Sequence, residues 1–293
     1  MLPEFLEKEK GKNHWYDADA FQPERQNLIQ SFMHINYHIG MHTHDFWELN
    51  VVMNGRGGHY IGKNRFEIKV GDVFVIPPNV QHGYYNLESL HVYHMLIHAS
   101  FIKRHMQALE KYSGYASLFE VEPYLRGTCR KSLFLNLSDR QIRELQRQID
   151  YIRIYEESEC EYKQILINAA AQSLLMQLCF LAEHYAFEGE QNGLRSGFGI
   201  MQCLNYIHVN YDRRITVEEL AALCHMSRAS FVRNFQESCG VAPHQYVLQL
   251  RVRMAKKLMA ESAMSFTEAA HECGFYDAAH LRKMLQKENQ LKS

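Results

Sequence analysis

The spacing of apolar residues changes period partway along this chain, and the change divides it. From Leu28 to His98, short apolar runs are broken by turn residues. Residues 32–39 are β-rich, and residues 49–53 end at Asn54-Gly55, a hairpin signal. His59-Tyr60-Ile61 meets Gly62-Lys63-Asn64, and Arg65 to Ile68 follows. Gly71-Asp72 leads into Val73 to Ile76, which stops at Pro77-Pro78, and residues 92–98 read as one more strand. Punctuation this regular predicts a small antiparallel barrel. Residues 1 to about 25 read as an irregular arm.

The period lengthens to that of a helix from about Ala99. Ser138 is placed to cap a helix carrying Ile142, Leu145, Ile149 and Ile152 on one face. A second helix is expected from about Glu161 to Tyr185. The fold predicted is α+β with two domains. Residues 1–135 form a β-barrel domain, 136–187 a helical extension that suits a dimer interface, 188–199 a Gly-rich linker and 200–293 an all-α domain. No stretch approaches the ~20 apolar residues of a membrane span, and the N-terminus lacks the apolar core of a signal peptide. Seven cysteines without a C-x-x-C spacing fit free thiols in a reducing cytoplasm.

The last domain reads as one helical unit written twice. Leu220, Ala221 and Cys224 recur as Ala269, Ala270 and Cys273; Phe231, Arg233 and Phe235 recur as Leu281, Lys283 and Leu285. Each copy is a short helix, a tight turn and a second capped helix, the pattern of a helix-turn-helix that reads the DNA major groove. Thr216 and Ser227 are the expected caps of the first copy, Asp277 caps the second helix of the other, and Gly240 and Gly274 end helices. With Phe231 and Phe235 turned inward, Arg228, Ala229, Val232, Arg233 and Gln236 are left for the groove. In the second copy Ala279, His280 and Lys283 face outward by the same count. Charge agrees: residues 195–293 carry 13 Lys/Arg against 9 Asp/Glu, although the whole chain has a formal net charge of -1.

The run ITVEELAALCHMSRASFVRNFQESCGVAPHQYVLQLRVRMAKKLM, followed by FTEAAHECGFYDAAHLRKML, resembles the DNA-binding domain of the AraC/XylS family of bacterial transcription regulators. The resemblance implies two helix-turn-helix units joined by a long helix beginning at Pro243, lying along one face of promoter DNA. It also implies a homodimer, activation rather than repression, a small-molecule effector of carbohydrate type and contact with RNA polymerase. The chain departs from the family in having Leu281 and Leu285 where phenylalanine is usual, and ENQLKS at its end.

A second constellation is His42-Thr43-His44-Asp45-Phe46-Trp47-Glu48. On a strand, positions 42, 44 and 48 share parity and face one cavity, while Trp47 faces away. With Gly55, and with Gly71, Pro77, His82 and Asn86 further on, the pattern resembles the two motifs of the cupin barrel, with Asn79 replacing a glycine. That resemblance puts His42, His44, Glu48 and His82 at metal-ligand positions. Three imidazoles and a carboxylate could hold Zn, Fe, Mn or Ni. The same groups could instead hydrogen-bond an effector, or simply close the barrel as buried polar residues. Two functions therefore stand side by side: an effector-responsive, cytoplasmic DNA-binding regulator, and a metal-dependent cupin enzyme with an appended helical domain.

Overall fold

Alternation along the two longest strands sets out the N-terminal half. A computed structural model describes residues 14–36, 39–128, 135–191, 195–262 and 264–292. The chain divides into two units, Met1–Tyr185 and Ala186–Ser293. In the first unit the strands are β1 (His14–Trp15), β2 (Ile29–Ile35), β3 (Thr43–His44), β4 (Trp47–Ile61), β5 (Asn64–Lys69), β6 (Asp72–Ile76), β7 (His82–Ile97) and β8 (Leu135–Asn136). The six-stranded sheet has the order β2-β7-β4-β6-β8, with β5 paired to β4; all these pairings are antiparallel. A parallel pair, β1 with β3, lies beside it. Two expected features fall partly outside the described residues: the start of the arm, residues 1–13, and Tyr37-His38 of the first β-rich run.

Leu49, Val51, Val73, Val75, Tyr93, Met95 and Ile97 face one way, into a core shared with the helices that follow. Helix α1 (Asp139–Glu157) contributes Leu145, Ile149 and Ile152, and α2 (Lys163–Gln191) contributes Ile167, Ala171, Leu174, Leu175 and Leu178. Ser138 caps α1 in a reciprocal capping box with Gln141. The intervening residues of β4, β6 and β7 face the opposite way, where Val52, Phe74, Ile76 and Val92 join Phe66 and Ile68 of β5.

Three expectations are corrected. Asn54-Gly55 is not a hairpin: β4 runs straight through it for 15 residues. Gly55 adopts φ +71° at a bulge, and the register against β7 shifts between Val52 and Gly58. A bulge and a tight hairpin both need a residue with positive φ, so the same dipeptide signals either. The linker expected at 188–199 is helical through Gln191 and again from Arg195, residues 192–194 lying outside the described set. The helix-favouring Glu, Gln and Arg of the described part of that stretch outweigh its glycines. Finally, α2 does carry a span-like stretch: Lys163–His184 has the length and mean hydropathy, 1.7, of a membrane-crossing helix. One face of it is nonetheless packed into the sheet's core.

The second unit is helical: α3 (Arg195–Asn210), α4 (Val217–Leu223), α5 (Arg228–Cys239), α6 (Pro243–Glu261), α7 (Phe266–Glu272) and α8 (Ala278–Lys292). Thr216 caps α4 and Ser265 caps α7, each in a capping box with the glutamate three residues on. Tyr246, Leu250, Val252 and Ala255 of α6 are buried, so the long helix serves both copies.

The bulge yields a paired test. A Cβ at Gly55 would lie 2.2 Å from the carbonyl oxygen of Ser89, whereas one at Gly62, which also has positive φ, meets nothing within 4 Å. Gly55→Ala is expected to destabilise the first unit by ~2–4 kcal/mol and Gly62→Ala by only ~1 kcal/mol. Urea unfolding of the two variants checks this; equal costs would remove the bulge from the account.

Candidate functional site

The doubled unit is repeated down to its hydrogen bonds. In the first turn, Cys224 N–H donates to Leu220 O at 3.2 Å, His225 N–H to Ala222 O at 3.0 Å and Met226 N–H to Ala221 O at 3.0 Å. In the second, Cys273 N–H donates to Ala269 O at 3.1 Å, Gly274 N–H to His271 O at 3.0 Å and Phe275 N–H to Ala270 O at 3.0 Å. The pivot residue of each turn is left-handed: His225 at φ 49° and Gly274 at φ 71°. Histidine tolerates that conformation in the first copy. The second copy admits only glycine, because a Cβ there would lie 2.2 Å from Asp212 O. After the pivot the copies slip by one residue. The inserted residue is Tyr276, 94% exposed.

Caps and packing then aim the second helix of each copy. Ser227 Oγ accepts from Ser230 N–H, and Gly240 closes α5 with φ 71°. Phe231 and Phe235 are fully buried, in contact with each other, and Phe235 also meets Tyr246. Arg228, Ala229, Val232, Arg233 and Gln236, the residues the sequence leaves for the groove, line one shallow surface depression together with Glu237. Val232 is half-buried within it, and Arg228 is held in an exposed ion pair with Glu218 at 3.0 Å. In the second copy Asp277 Oδ1 accepts from His280 N–H at 2.7 Å, and Leu281 is fully buried. Ala279 and Lys283 are exposed; His280 is half-buried, edge-on to Phe275.

A residue the sequence reading passed over joins the second copy to the rest of its unit. Arg251, on α6, donates from Nε to Tyr211 O at 2.7 Å, from one terminal nitrogen to Gly274 O at 2.6 Å and from the other to Arg213 O at 2.7 Å. One guanidinium thus ties the second turn to the backbone just after α3. Its sequence signal is weak, an arginine one position from the buried stripe Tyr246, Leu250 and Met254.

In the first unit the sheet's inner face holds the histidine cluster. His42 pairs with His82 across an isolated bridge, 2.9 and 3.0 Å between backbone atoms. His44, Glu48 and His82 converge: His44 Nε2 lies 3.0 Å and His82 Nε2 3.5 Å from Glu48 Oε2. All four predicted residues are buried. They do not share one strand, since Asp45-Phe46 interrupts the pairing, but Phe46 turns inward and stacks on His44 at 4.3 Å. Asn79 takes φ 63°, a conformation asparagine accepts, and its N–H donates to His44 O at 2.6 Å. Trp47 faces Phe119, away from the cluster, while Trp15 lies against the His42 ring at 4.1 Å.

Two further histidines belong to the site. His94 Nδ1 reaches Glu48 Oε1 at 2.6 Å. His59, fully buried, has neither ring nitrogen in a hydrogen bond and lies beside Phe74, Tyr84 and His82. Uninterrupted alternation from Glu48 would turn His59 outward; the bulge at Gly55 reverses the parity and brings it in. The Tyr84 hydroxyl, beside His59, donates to Asn50 Oδ1 at 2.9 Å. Burial opposes charge on Glu48, but His94, His44 and His82 together hold its carboxyl well below the usual range. Burial, reinforced by His82, pushes His42 down to about 2, and burial also lowers His82 against the pull of Glu48. The result is one buried carboxylate approached by three imidazoles, with burial favouring the neutral form of His42 and His82.

Residues 28–178, more than half of the chain, match the family model described as AraC-like ligand binding domain, and residues 220–291 match one described as Helix-turn-helix domain. The chain belongs to the AraC family. It is similar to the HTH-type transcriptional activator RhaS of Pectobacterium atrosepticum, 24% identical over 250 residues that span 84% of this chain and 83% of that one. RhaR of Cronobacter sakazakii, also described as an HTH-type transcriptional activator, is 24% identical over 277 residues, 92% and 91% of the two chains. Among solved structures, the DNA-binding domain of AdpA in complex with a target DNA aligns at 31% identity with 30% of this chain and 80% of its own, TM-score 0.30. This AraC-family chain is a DNA-binding transcription regulator with a ligand-binding domain, and the family does not support the enzyme that the histidine motif left open.

The Arg251 contacts generate a test. Loss of three hydrogen bonds from a charged donor costs ~2–4 kcal/mol at a half-buried site. Arg251→Met in the AraC-family chain is expected to lower amide-exchange protection at Phe275 well below that at Met226. Equal losses at the two turns would contradict a clamp on the second copy.

Proposed function

We propose that this regulator binds promoter DNA through both helix-turn-helix units, with Arg233 as the principal base-reading residue. The observation that carries the reading is the outward face of α5, on which Ala229, Val232, Arg233 and Gln236 stand together while Phe231 and Phe235 anchor the opposite face. An exposed arginine in a surface depression suits bidentate recognition of guanine, and Ala229 and Val232 suit a thymine methyl. Arg228 gives up its exposed partner Glu218 at little cost and turns to phosphate. Ala279, His280 and Lys283 of the second copy supply chiefly backbone contacts, alanine having nothing to donate.

The buried polar cluster of His59, Asn50, Tyr84 and Glu48 serves as the effector site. Buried polar groups beside the aromatic faces of Phe32 and Phe74 suit a small carbohydrate. Its differential affinity for two arrangements of the regulator sets transcription of a catabolic operon. We read the protein as a cytoplasmic activator without catalytic activity that contacts RNA polymerase, in keeping with its similarity to relatives described as transcriptional activators.

We further read the active form as a homodimer paired through α2. Its outward stripe, which starts from Tyr162 in the turn just before it, runs on through Ile165, Ala169, Ser173, Met176 and Phe180, all exposed. Two large residues, two small and two large form a sequence that reads alike in both directions. An antiparallel second copy of α2 then sets Tyr162 on Phe180, Ile165 on Met176 and Ala169 on Ser173, as a two-fold interface requires. A second copy also accounts for a helix that is apolar all round while only one of its faces meets its own core.

The DNA reading is tested by affinity for an operator selected from random duplexes. Arg233→Ala is expected to lose ~10–100-fold in specific binding with little change in non-specific binding. Lys283→Ala is expected to weaken both alike and to flatten the salt dependence. Specific binding by Arg233→Ala equal to wild type would refute the role given to Arg233.

A further inference from the structure

We propose that Tyr276 is a DNA contact of the second helix-turn-helix unit, its hydroxyl donating to a backbone phosphate at the lip of the groove that α8 enters. This deepens the reading in which the second copy supplies chiefly backbone contacts, and rests on it.

The two copies differ by one residue at this point. In the first, Met226 is followed directly by the cap Ser227. Met226 is half-buried, and its sulfur accepts from the Asn234 side-chain amide at 3.4 Å. In the second, Phe275 takes the place of Met226 and Asp277 that of Ser227, with Tyr276 between them. Phe275 is buried, and its N–H donates to Ala270 O at 3.0 Å. Asp277 Oδ1 accepts from His280 N–H at 2.7 Å. Both neighbours are therefore held in place, and Arg251 fixes Gly274 O at 2.6 Å two residues upstream. The tyrosine between them is 94% exposed, more than any other large hydrophobic residue among the described residues.

Folding alone gives no reason for an aromatic here. A residue that links a buried anchor to a helix cap can be glycine, asparagine, aspartate or serine. Tyrosine at this place buries almost nothing in its own unit. An apolar body with a polar tip, projected from an anchored backbone, is instead suited to an interface.

The surroundings select the partner. Tyr276 immediately precedes the cap of the second recognition helix, and a helix-turn-helix presents the N-terminal residues of that helix to the duplex. The first turn of α8 is short of donors. Ala278 and Ala279 have none in their side chains, and His280 is half-buried, edge-on to Phe275 at 5.3 Å. Tyrosine is among the side chains that bond phosphate oxygens. A single hydroxyl lacks the paired contacts by which arginine or asparagine reads a base edge. The Tyr276 contact is therefore one of register, and being uncharged it adds nothing to the counterion release expected of Lys283.

The test uses the full-length chain and the operator selected from random duplexes. Tyr276→Phe removes only the hydroxyl of an exposed ring, and circular dichroism verifies that the variant is folded. It is expected to bind the operator ~10-fold more weakly, as loss of one hydrogen bond to a charged acceptor implies. The same factor is expected on operators altered in a base of the second site, with the salt dependence unchanged. In ethylation interference, one phosphate whose modification weakens wild-type binding should cease to matter in Tyr276→Phe. Lys283→Ala on the same DNA separates two kinds of failure. If Lys283→Ala binds weakly while Tyr276→Phe matches wild type, the tyrosine contact falls and the second copy's grip on DNA stands. If both variants match wild type, the second copy's grip falls and the contact with it. A loss confined to particular base sequences would overturn the phosphate assignment.

Discussion

The DNA-binding half depends on a cation that spends its hydrogen bonds on backbone. Arg251 holds Tyr211 O, Arg213 O and Gly274 O at once. Carbonyls after a helix and in a tight turn lack regular partners, and a guanidinium's planar fork can serve several together. That link adds directional contacts to the apolar packing of the second copy on α6, which fixes burial but not rotation. A reader of two successive grooves needs its two recognition helices at a set distance and angle. Arg251 and the buried stripe of α6 supply that rigidity, and Gly274 permits it, since any side chain at the pivot would collide with Asp212.

The ligand-binding half is organised by the opposite sign. Glu48 is a buried carboxylate at the convergence of β4, β7 and the segment before β4, and the rings of His44, His82 and His94 meet its oxygens. Burying such a charge is unfavourable unless its oxygens are fully engaged. His94 engages one oxygen, and His44 and His82 converge on the other.

Much of this was legible in the chain. Residue spacing disclosed the doubled helical unit because each copy packs two large apolar residues inward one turn apart, Phe231 and Phe235 and again Leu281 and the half-buried Leu285. The caps at Ser138, Thr216, Ser227 and Asp277 were readable because an N-cap needs a particular side chain rather than a tertiary context. Parity selected His42, His44 and Glu48, although they converge through an interrupted strand and a cross-strand bridge rather than one regular ladder. What escaped depends on non-local events. The bulge at Gly55 reverses parity and turns His59 inward, and Asn54-Gly55 alone does not distinguish a bulge from a hairpin. His94 looks like one more residue of an apolar strand until Glu48 is brought beside it. Arg251 could be recognised only once the carbonyls it binds were positioned. The slip from a repeat of 49 to one of 50 residues, visible in the sequence, finds its cause in Tyr276, inserted after the second pivot.

We propose that both copies grip one duplex at once. Hydroxyl-radical footprinting of the full-length chain on its selected operator measures this directly. Two protected patches on the same face of the DNA, about one helical turn (~34 Å) apart per protomer, are predicted. A single patch per protomer, or patches on opposite faces of the duplex, would contradict it.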